Sequence, residues 1–269
     1  MSILKEIVKR RQEDVRLDKK RITQEELASK VSALPATRDF RGALAGPDIS
    51  LIAEVKGASP SKGVIASSFS PAEVAGCYQR AGADALSVLT EKNYFQGRME
   101  YLRIVKRKIS LPVLCKDFIF DPYQLYQARY YGADAVLLIA AVLEKEKLND
   151  LYRTAYDLDL DVLVEVHSRE ELEEVLTGEV PDIIGINNRD LHSFQVDLKK
   201  SLELGAMIPA ETLVVSESGI KNSSDVEGLV AAGIDAMLVG EALMSSPDPV
   251  LKIEELLSSS REVSKDGEG

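Results

Sequence analysis

The chain has 269 residues, 45% of them apolar and 29% charged, with a formal net charge of −11; this suits a globular protein with a sizeable core and speaks against nucleic-acid binding, since an acidic surface repels phosphate backbones. Its two cysteines, Cys77 and Cys115, form no CxxC pattern, which excludes a disulfide framework, argues against a soft-ligand metal site and reads as two buried, reduced thiols. No apolar run approaches the roughly 20 residues that span a bilayer, and Met1-Ser-Ile-Leu-Lys-Glu6 lacks the apolar core of a signal peptide, so a cytoplasmic location with no membrane partner is expected.

In chain order, Ile3, Leu4, Ile7, Val8 and Val15 fall on one side of a helical repeat with basic residues opposite. This predicts an amphipathic helix, within an extension over about residues 1–45 that packs across one end of the remaining fold. Leu51–Lys56 is the first strand-like run, and Pro112–Lys116, Asp161–Val166 and Thr212–Ser216 resemble it. All are rich in Val, Ile and Leu without strict alternation, as in strands buried on both faces. Helix starts are marked by Ser70-Pro71-Ala-Glu73, by Asp121-Pro122, and by Ser168-Arg-Glu-Glu171, which has the form of a capping box. Ala81-Gly-Ala-Asp-Ala-Leu-Ser-Val-Leu89, Tyr131-Gly-Ala-Asp-Ala-Val-Leu-Leu-Ile139 and Ala232-Gly-Ile-Asp-Ala-Met-Leu-Val-Gly240 echo one another, with Pro181-Asp-Ile-Ile-Gly-Ile186 a weaker copy. In the clear copies a glycine stands where a helix ends in a left-handed residue and a strand-like run comes next. The spacing of about 50 residues equals two βα units.

About eight strands alternating with helices predict an α/β fold, a (β/α)8 TIM barrel with an N-terminal helical extension. Residues 1–258 are then one domain, and 259–269 a polar, disordered tail. The rival is an open doubly wound sheet, but the turn after the first strand, Lys56-Gly-Ala-Ser-Pro-Ser-Lys-Gly63, is not GxGxxG.

A barrel builds its site at the carboxyl ends of its strands. Those ends read Glu54-Val-Lys56, Lys116-Asp117, Glu165-Val-His167, Asn187-Asn-Arg189, Glu217-Ser-Gly219 and Gly240-Glu241. Glu54 and Lys56, two apart, share a face. Charges there are costly unless paired, and paired charges of this kind suit acid–base work. Small residues in Ser216-Glu-Ser-Gly-Ile220 and Leu238-Val-Gly-Glu-Ala242 suggest a phosphate cradle of backbone N–H groups after the last two strands, with Ser59 and Ser61 as further donors. His167 and His192 read as structural or surface residues. No HExxH, facial triad or P-loop is present, so no metal, nucleoside triphosphate or other cofactor is indicated.

These strings resemble a known family. Leu51-Ile-Ala-Glu-Val-Lys-Gly-Ala-Ser-Pro-Ser-Lys-Gly63, Leu89-Thr-Glu-Lys-Asn-Tyr-Phe-Gln-Gly97, Val113-Leu-Cys-Lys-Asp-Phe118, Leu163-Val-Glu-Val-His167, Ile184-Gly-Ile-Asn-Asn-Arg-Asp-Leu191 and Val215-Ser-Glu-Ser-Gly-Ile220 are similar to indole-3-glycerol-phosphate synthases. So is the extension with Leu34-Pro-Ala-Thr-Arg-Asp-Phe40, and the resemblance runs to about residue 257. It implies a small phosphorylated anthranilate-ribulose substrate and a decarboxylating lyase of tryptophan biosynthesis; it leaves association with another enzyme of that pathway open. Residue by residue it implies Lys116 as general acid and Glu165 as general base, with Glu54, Lys56, Asn187 and Glu217 completing the catalytic set. Arg189, Phe118, Leu137, Leu191 and Ser218 would bind the substrate, and Ser59, Gly219, Gly240 and Glu241 its phosphate, Glu241 through its backbone N–H. Gly57, Cys115 and Arg98 depart from the pattern without removing a catalytic group. The competing readings are a phosphate-sugar isomerase, a Schiff-base aldolase using Lys116, and a silent barrel kept as a scaffold.

Overall fold

The structure is a computed structural model that describes the backbone of residues 3–59, 63–64, 70–190, 193 and 195–266, and their side chains except at 58–59, 63–64 and 259–266. Eight parallel strands close into a barrel: β1 (Ser50–Val55), β2 (Ala85–Leu89), β3 (Val113–Lys116), β4 (Ala135–Ile139), β5 (Asp161–Val166), β6 (Ile183–Asn187), β7 (Leu213–Glu217) and β8 (Ala236–Val239). Each pairs with its sequence neighbour, and β8 returns to β1 through Ser50 opposite Ala236 and Ile52 opposite Leu238. Barrel helices are α4 (Pro71–Arg80), α5 (Met99–Lys108), α6 (Pro122–Tyr131), α7 (Lys145–Tyr156), α8 (Arg169–Leu176), α9 (Lys199–Gly205), α10 (Ser223–Ala231), α11 (Glu241–Ser245) and α12 (Pro249–Asp266). The barrel expected from the sequence is the one observed.

The repeated Gly-x-Asp turns have a mechanical role. Gly82, Gly132 and Gly233 adopt left-handed φ values of 97°, 99° and 72°, open to glycine without steric cost. The aspartate then stitches its strand to the one before. Asp84 accepts the Leu51 N–H at 2.8 Å, Asp134 that of Val113 at 2.9 Å and Asp235 that of Val214 at 2.7 Å. Two helix caps match their sequence signals less fully. Ser70 stands at the N-cap of α4 with no side-chain cap bond. Ser168 caps α8 by accepting the Glu171 N–H, but the Glu171 carboxylate returns to the N–H of His167, at 2.7 Å.

Alternation divides each strand between two cores. Outward residues such as Leu51, Leu86, Val136 and Val164 pack under the helices. Inward residues Ile52, Ala85, Leu114, Leu137, Leu163, Val215 and Leu238 fill the barrel, together with Phe40 and Leu44. Those last two belong to α3 (Phe40–Leu44), which closes the amino-terminal floor of the barrel and is tied there by Asp161 accepting the Phe40 N–H at 2.9 Å. Thus the extension reaches both ends: α1 (Ile3–Arg21) lies at the mouth, α2 (Gln24–Val31) packs on α6, and α3 seals the floor.

The mouth helix is anchored by charge as well as by apolar packing. Arg11, which falls within the apolar stripe at helical spacing from Ile7, Val8 and Val15, is 4% exposed. Its guanidinium makes a two-pronged pair with Asp117, both bonds 2.9 Å. Asp117 also accepts from Thr90 and from the Phe118 N–H. Of the cysteines, Cys115 is buried as expected, whereas Cys77 is only half-buried. Helix α12 continues to Asp266, into the stretch expected as a tail. Among the described residues no helix is long and apolar enough to cross a membrane.

Removing one partner of a buried ion pair leaves the other charge stranded. Arg11→Leu is therefore expected to cost about 3 kcal/mol of unfolding free energy, measured by urea denaturation, and to loosen α1 as seen by faster amide exchange over residues 3–21.

Candidate active site

Two residues beyond the last inward apolar side chains, the same alternation turns charged groups into the barrel. Glu54 comes after Ile52, Lys116 after Leu114, Glu165 after Leu163 and Glu217 after Val215. Across the sheet Glu54 stands opposite Ser87, Ile139 opposite Glu165 and Asn187 opposite Glu217. They lie at the floor of a cavity of about 610 Å3 at the carboxyl ends of the strands.

Lys116 is the hub. Its Nζ lies 3.0 Å from Glu165 Oε2 and 2.6 Å from Glu217 Oε2. Burial alone would favour the neutral amine, but the carboxylates of Glu165, Glu217 and Glu54 outweigh it and hold the ammonium well above the ordinary lysine range. The carboxylates diverge. Burial pushes Glu165 upward, yet the Lys116 ammonium and His167 reverse this and keep it well below the usual range. Burial, helped by the Glu165 charge and opposed by Lys116, drives Glu217 above it. Among the described residues Glu217 Oε1 has no hydrogen-bond partner. One site thus holds an ammonium and two carboxyl groups whose proton affinities are pushed apart, Glu165 downward and Glu217 upward.

Around this hub, Asn187 Nδ2 donates to Glu165 Oε1 at 3.3 Å. Lys56 donates to Glu54 at 2.5 Å, as their spacing predicts. Arg189 pairs with the Glu241 carboxylate at 3.0 Å, so that charge, expected to repel an anion, is neutralised. Asn188 braces the turn after β7. Its amide donates to the carbonyls of Glu217 and Ser218 at 3.0 and 3.1 Å, holding Ser218 at a φ of 68°, a position costly for a non-glycine residue.

Every described candidate meets at this cavity: Glu54, Lys56, Lys116, Phe118, Leu137, Glu165, Asn187, Arg189, Glu217, Ser218, Gly219, Gly240 and Glu241 all line it. Leu191, His192 and the side chain of Ser59 lie outside the described residues. The sequence reading missed Ile3, Leu4 and Ile7 of α1, Phe95 beside Phe118 with ring centroids 6.2 Å apart, and Lys221 and Lys252. Phe95 was foreshadowed by the string containing it: buried Glu91 accepts the N–H groups of Asn93, Tyr94 and Phe95 and fixes that loop. His167, expected as a structural or surface residue, is not at the surface: it stands half-buried at the mouth, Nε2 3.1 Å from Glu165 Oε1 and Nδ1 3.3 Å from Glu171.

A family model described as indole-3-glycerol phosphate synthase matches residues 4–256. The chain belongs to the indole-3-glycerol phosphate synthase family. Proteins of that name from Rhodopirellula baltica and Dehalococcoides mccartyi strain CBDB1 are 46% identical over 260 residues and 47% over 259, covering 96% and 95% of this chain and all of theirs. The one from Geobacillus thermodenitrificans is 49% identical over 216 residues, 80% of this chain and 84% of its own. Family membership makes the chain a carboxy-lyase. Among solved structures, a thiamine phosphate pyrophosphorylase from Pyrococcus furiosus matches with a TM-score of 0.60 and 20% identity, over 84% of this chain and 99% of its own, a likeness of fold alone.

This synthase-family site yields two expected outcomes. A Cβ at Gly240 would stand 2.3 Å from Glu54 Oε1 and 2.9 Å from Lys56 Nζ. Gly240→Ala is therefore expected to displace that pair and cut kcat/KM by about a hundredfold while far-UV circular dichroism stays unchanged. His167 is raised from 6.5 to about 9, because Glu165 and Glu171 outweigh the burial that would lower it. The stabilisation this represents is complete below the unfolded value and fades as pH rises through the folded one. The Tm deficit of His167→Gln should be larger at about pH 6 than at about pH 10, as differential scanning calorimetry would read.

Proposed function

We propose that the chain converts 1-(2-carboxyphenylamino)-1-deoxyribulose 5-phosphate to indole-3-glycerol phosphate, carbon dioxide and water, with Lys116 as general acid and Glu165 as general base. The observation that carries this reading is the Lys116 ammonium clasped between Glu165 and Glu217 on the floor of a cavity with apolar walls. Its volume lies in the range of small-molecule sites.

The ring carbon bearing the carboxylate attacks the ketone, and charge gathers on the ketone oxygen. A pre-oriented, buried ammonium is suited to meet that charge and protonate it. The electron pair freed as carbon dioxide leaves restores the ring. Loss of the new hydroxyl as water then needs a proton donor, for which Lys56 beside Glu54 is suited, and a base for the proton on the neighbouring carbon, Glu165. The two roles are linked electrostatically. When Lys116 gives up its proton, Glu165 loses a cation at 3.0 Å and its basicity rises. A Schiff-base aldolase would need Lys116 as a neutral amine, which two carboxylate partners oppose.

Phe118, Leu137 and Phe95, with Ile3, Leu4 and Ile7 above, form an apolar wall for the aromatic ring. Asn187 and Arg189 orient the substrate, and Ser218 and the backbone of Gly219, Gly240 and Glu241 take the phosphate. Lys221 and Lys252 add positive charge on that side of the cavity.

The test is direct, because the chain has no tryptophan, so indole fluorescence from product rises without a protein indole background. Lys116→Ala and Glu165→Gln should each cut turnover by at least about a hundredfold. Near-normal turnover in both would remove the assignment, and a borohydride-trapped adduct on Lys116 would replace it with the aldolase.

A further inference from the structure

The roles of Lys116 and Glu165 leave one contact unexplained. Glu165 is 4% exposed, and burial is the strongest influence acting to neutralise it. While Lys116 keeps its proton, the carboxylate has a cation beside it. Once Lys116 has protonated the ketone oxygen, that cation is gone, yet the carbon–hydrogen bond is still to be broken. A buried carboxylate without a cation beside it is driven toward its neutral form, and Glu217, whose proton affinity burial raises, shares the same lysine. The Asn187 amide on Oε1 is neutral and cannot replace the lost charge.

A second cation is nonetheless built in. His167 lies two residues beyond Glu165, so it turns toward the mouth on the same side. Its side chain is only 8% exposed, and its Nε2 is 3.1 Å from Glu165 Oε1, on the oxygen opposite to the one that meets Lys116. The other ring nitrogen faces Glu171 at 3.3 Å. Glu171 is itself fixed: its backbone N–H is capped by Ser168, and its carboxylate accepts the His167 N–H. Nδ1 is hydrogen-bonded to Glu171, whereas Nε2 faces Glu165 at ion-pair distance without a hydrogen bond. The coupling to Glu165 is therefore one of charge, and a carboxylate at each ring nitrogen favours the imidazolium.

We propose that His167 is a positioning residue for Glu165, an imidazolium held by Glu171 whose charge keeps the base ionised after Lys116 has discharged. The proposal rests on Glu165 being the base. The titratable groups around the ring are Glu165 on β5 and Glu171 on α8, with Lys116 on β3 and Glu217 on β7 reaching it through Glu165.

Single-turnover rates across pH test this in full-length protein, for the parent, His167→Gln, Glu171→Gln and Glu165→Gln. The parent rate should fall as the imidazole loses its proton near pH 9. His167→Gln should be slowed at least about tenfold at neutral pH, with KM within about twofold, and should lack that alkaline fall. In Glu171→Gln the ring and the Ser168 cap remain while one countercharge is lost, so the fall should move to lower pH. A residue that merely packs would change rate or Tm without moving the profile. The proposal is overturned if both variants keep the parent's alkaline limb at the same pH. Should His167→Gln fail to fold, the position of the limb in Glu171→Gln decides. An active Glu165→Gln would sink the underlying reading instead, whereas an inactive one beside unaffected His167 and Glu171 variants would sink this inference alone.

Discussion

A charge that points into a closed barrel can be reached by water only from the open end, so it must find its counterion on a neighbouring strand. That constraint organises this molecule. Lys116 has little access to water where it stands, and Glu165 from two strands on and Glu217 from four strands on converge on it. With two acidic groups to one ammonium, the acids cannot behave alike, and the site separates into groups of different proton affinity without a metal being invoked. The strand that carries Lys116 inward turns the next residue, Asp117, toward Arg11. One strand end thereby supplies both the hub of the site and the anchor of the helix above it.

On charge alone, a protein at −11 is a poor receptor for a small phosphorylated substrate. Several cations of the cavity are paired with carboxylates: Lys56 is held by Glu54, Arg189 by Glu241 and Lys252 by Glu255, and such pairing keeps the side chains pre-oriented.

The sequence disclosed what is local. The βα repeats, their left-handed glycines and the two-residue spacing of Glu54 and Lys56 each depend on a few neighbouring residues, and all are present. The cluster of Lys116, Glu165 and Glu217 was legible because parallel strands in a barrel end on the same rim. Features that join distant segments were not. Arg11 falls on the apolar side of α1, but nothing near it in the sequence names its partner, which lies 106 residues away. Lys221 and Lys252 reach the cavity only through the path of the chain beyond β7 and β8. The capping signature at Ser168 holds for the hydroxyl and fails for the carboxylate, since Glu171 serves His167 instead. His167, one of only two histidines, carries no pattern that could set it apart from a packed or exposed ring.

The amino-terminal segment has an implication for how the molecule holds together. Phe40 and Leu44 plug the base of the barrel, while Ile3, Leu4 and Ile7, less than 45 residues earlier, roof the opposite opening. A single stretch of chain therefore clasps the cylinder from top to bottom, like a strap buckled at both ends. Slack introduced at the base would be felt over the substrate, so mechanical integrity and access to the chemistry are governed by one tether.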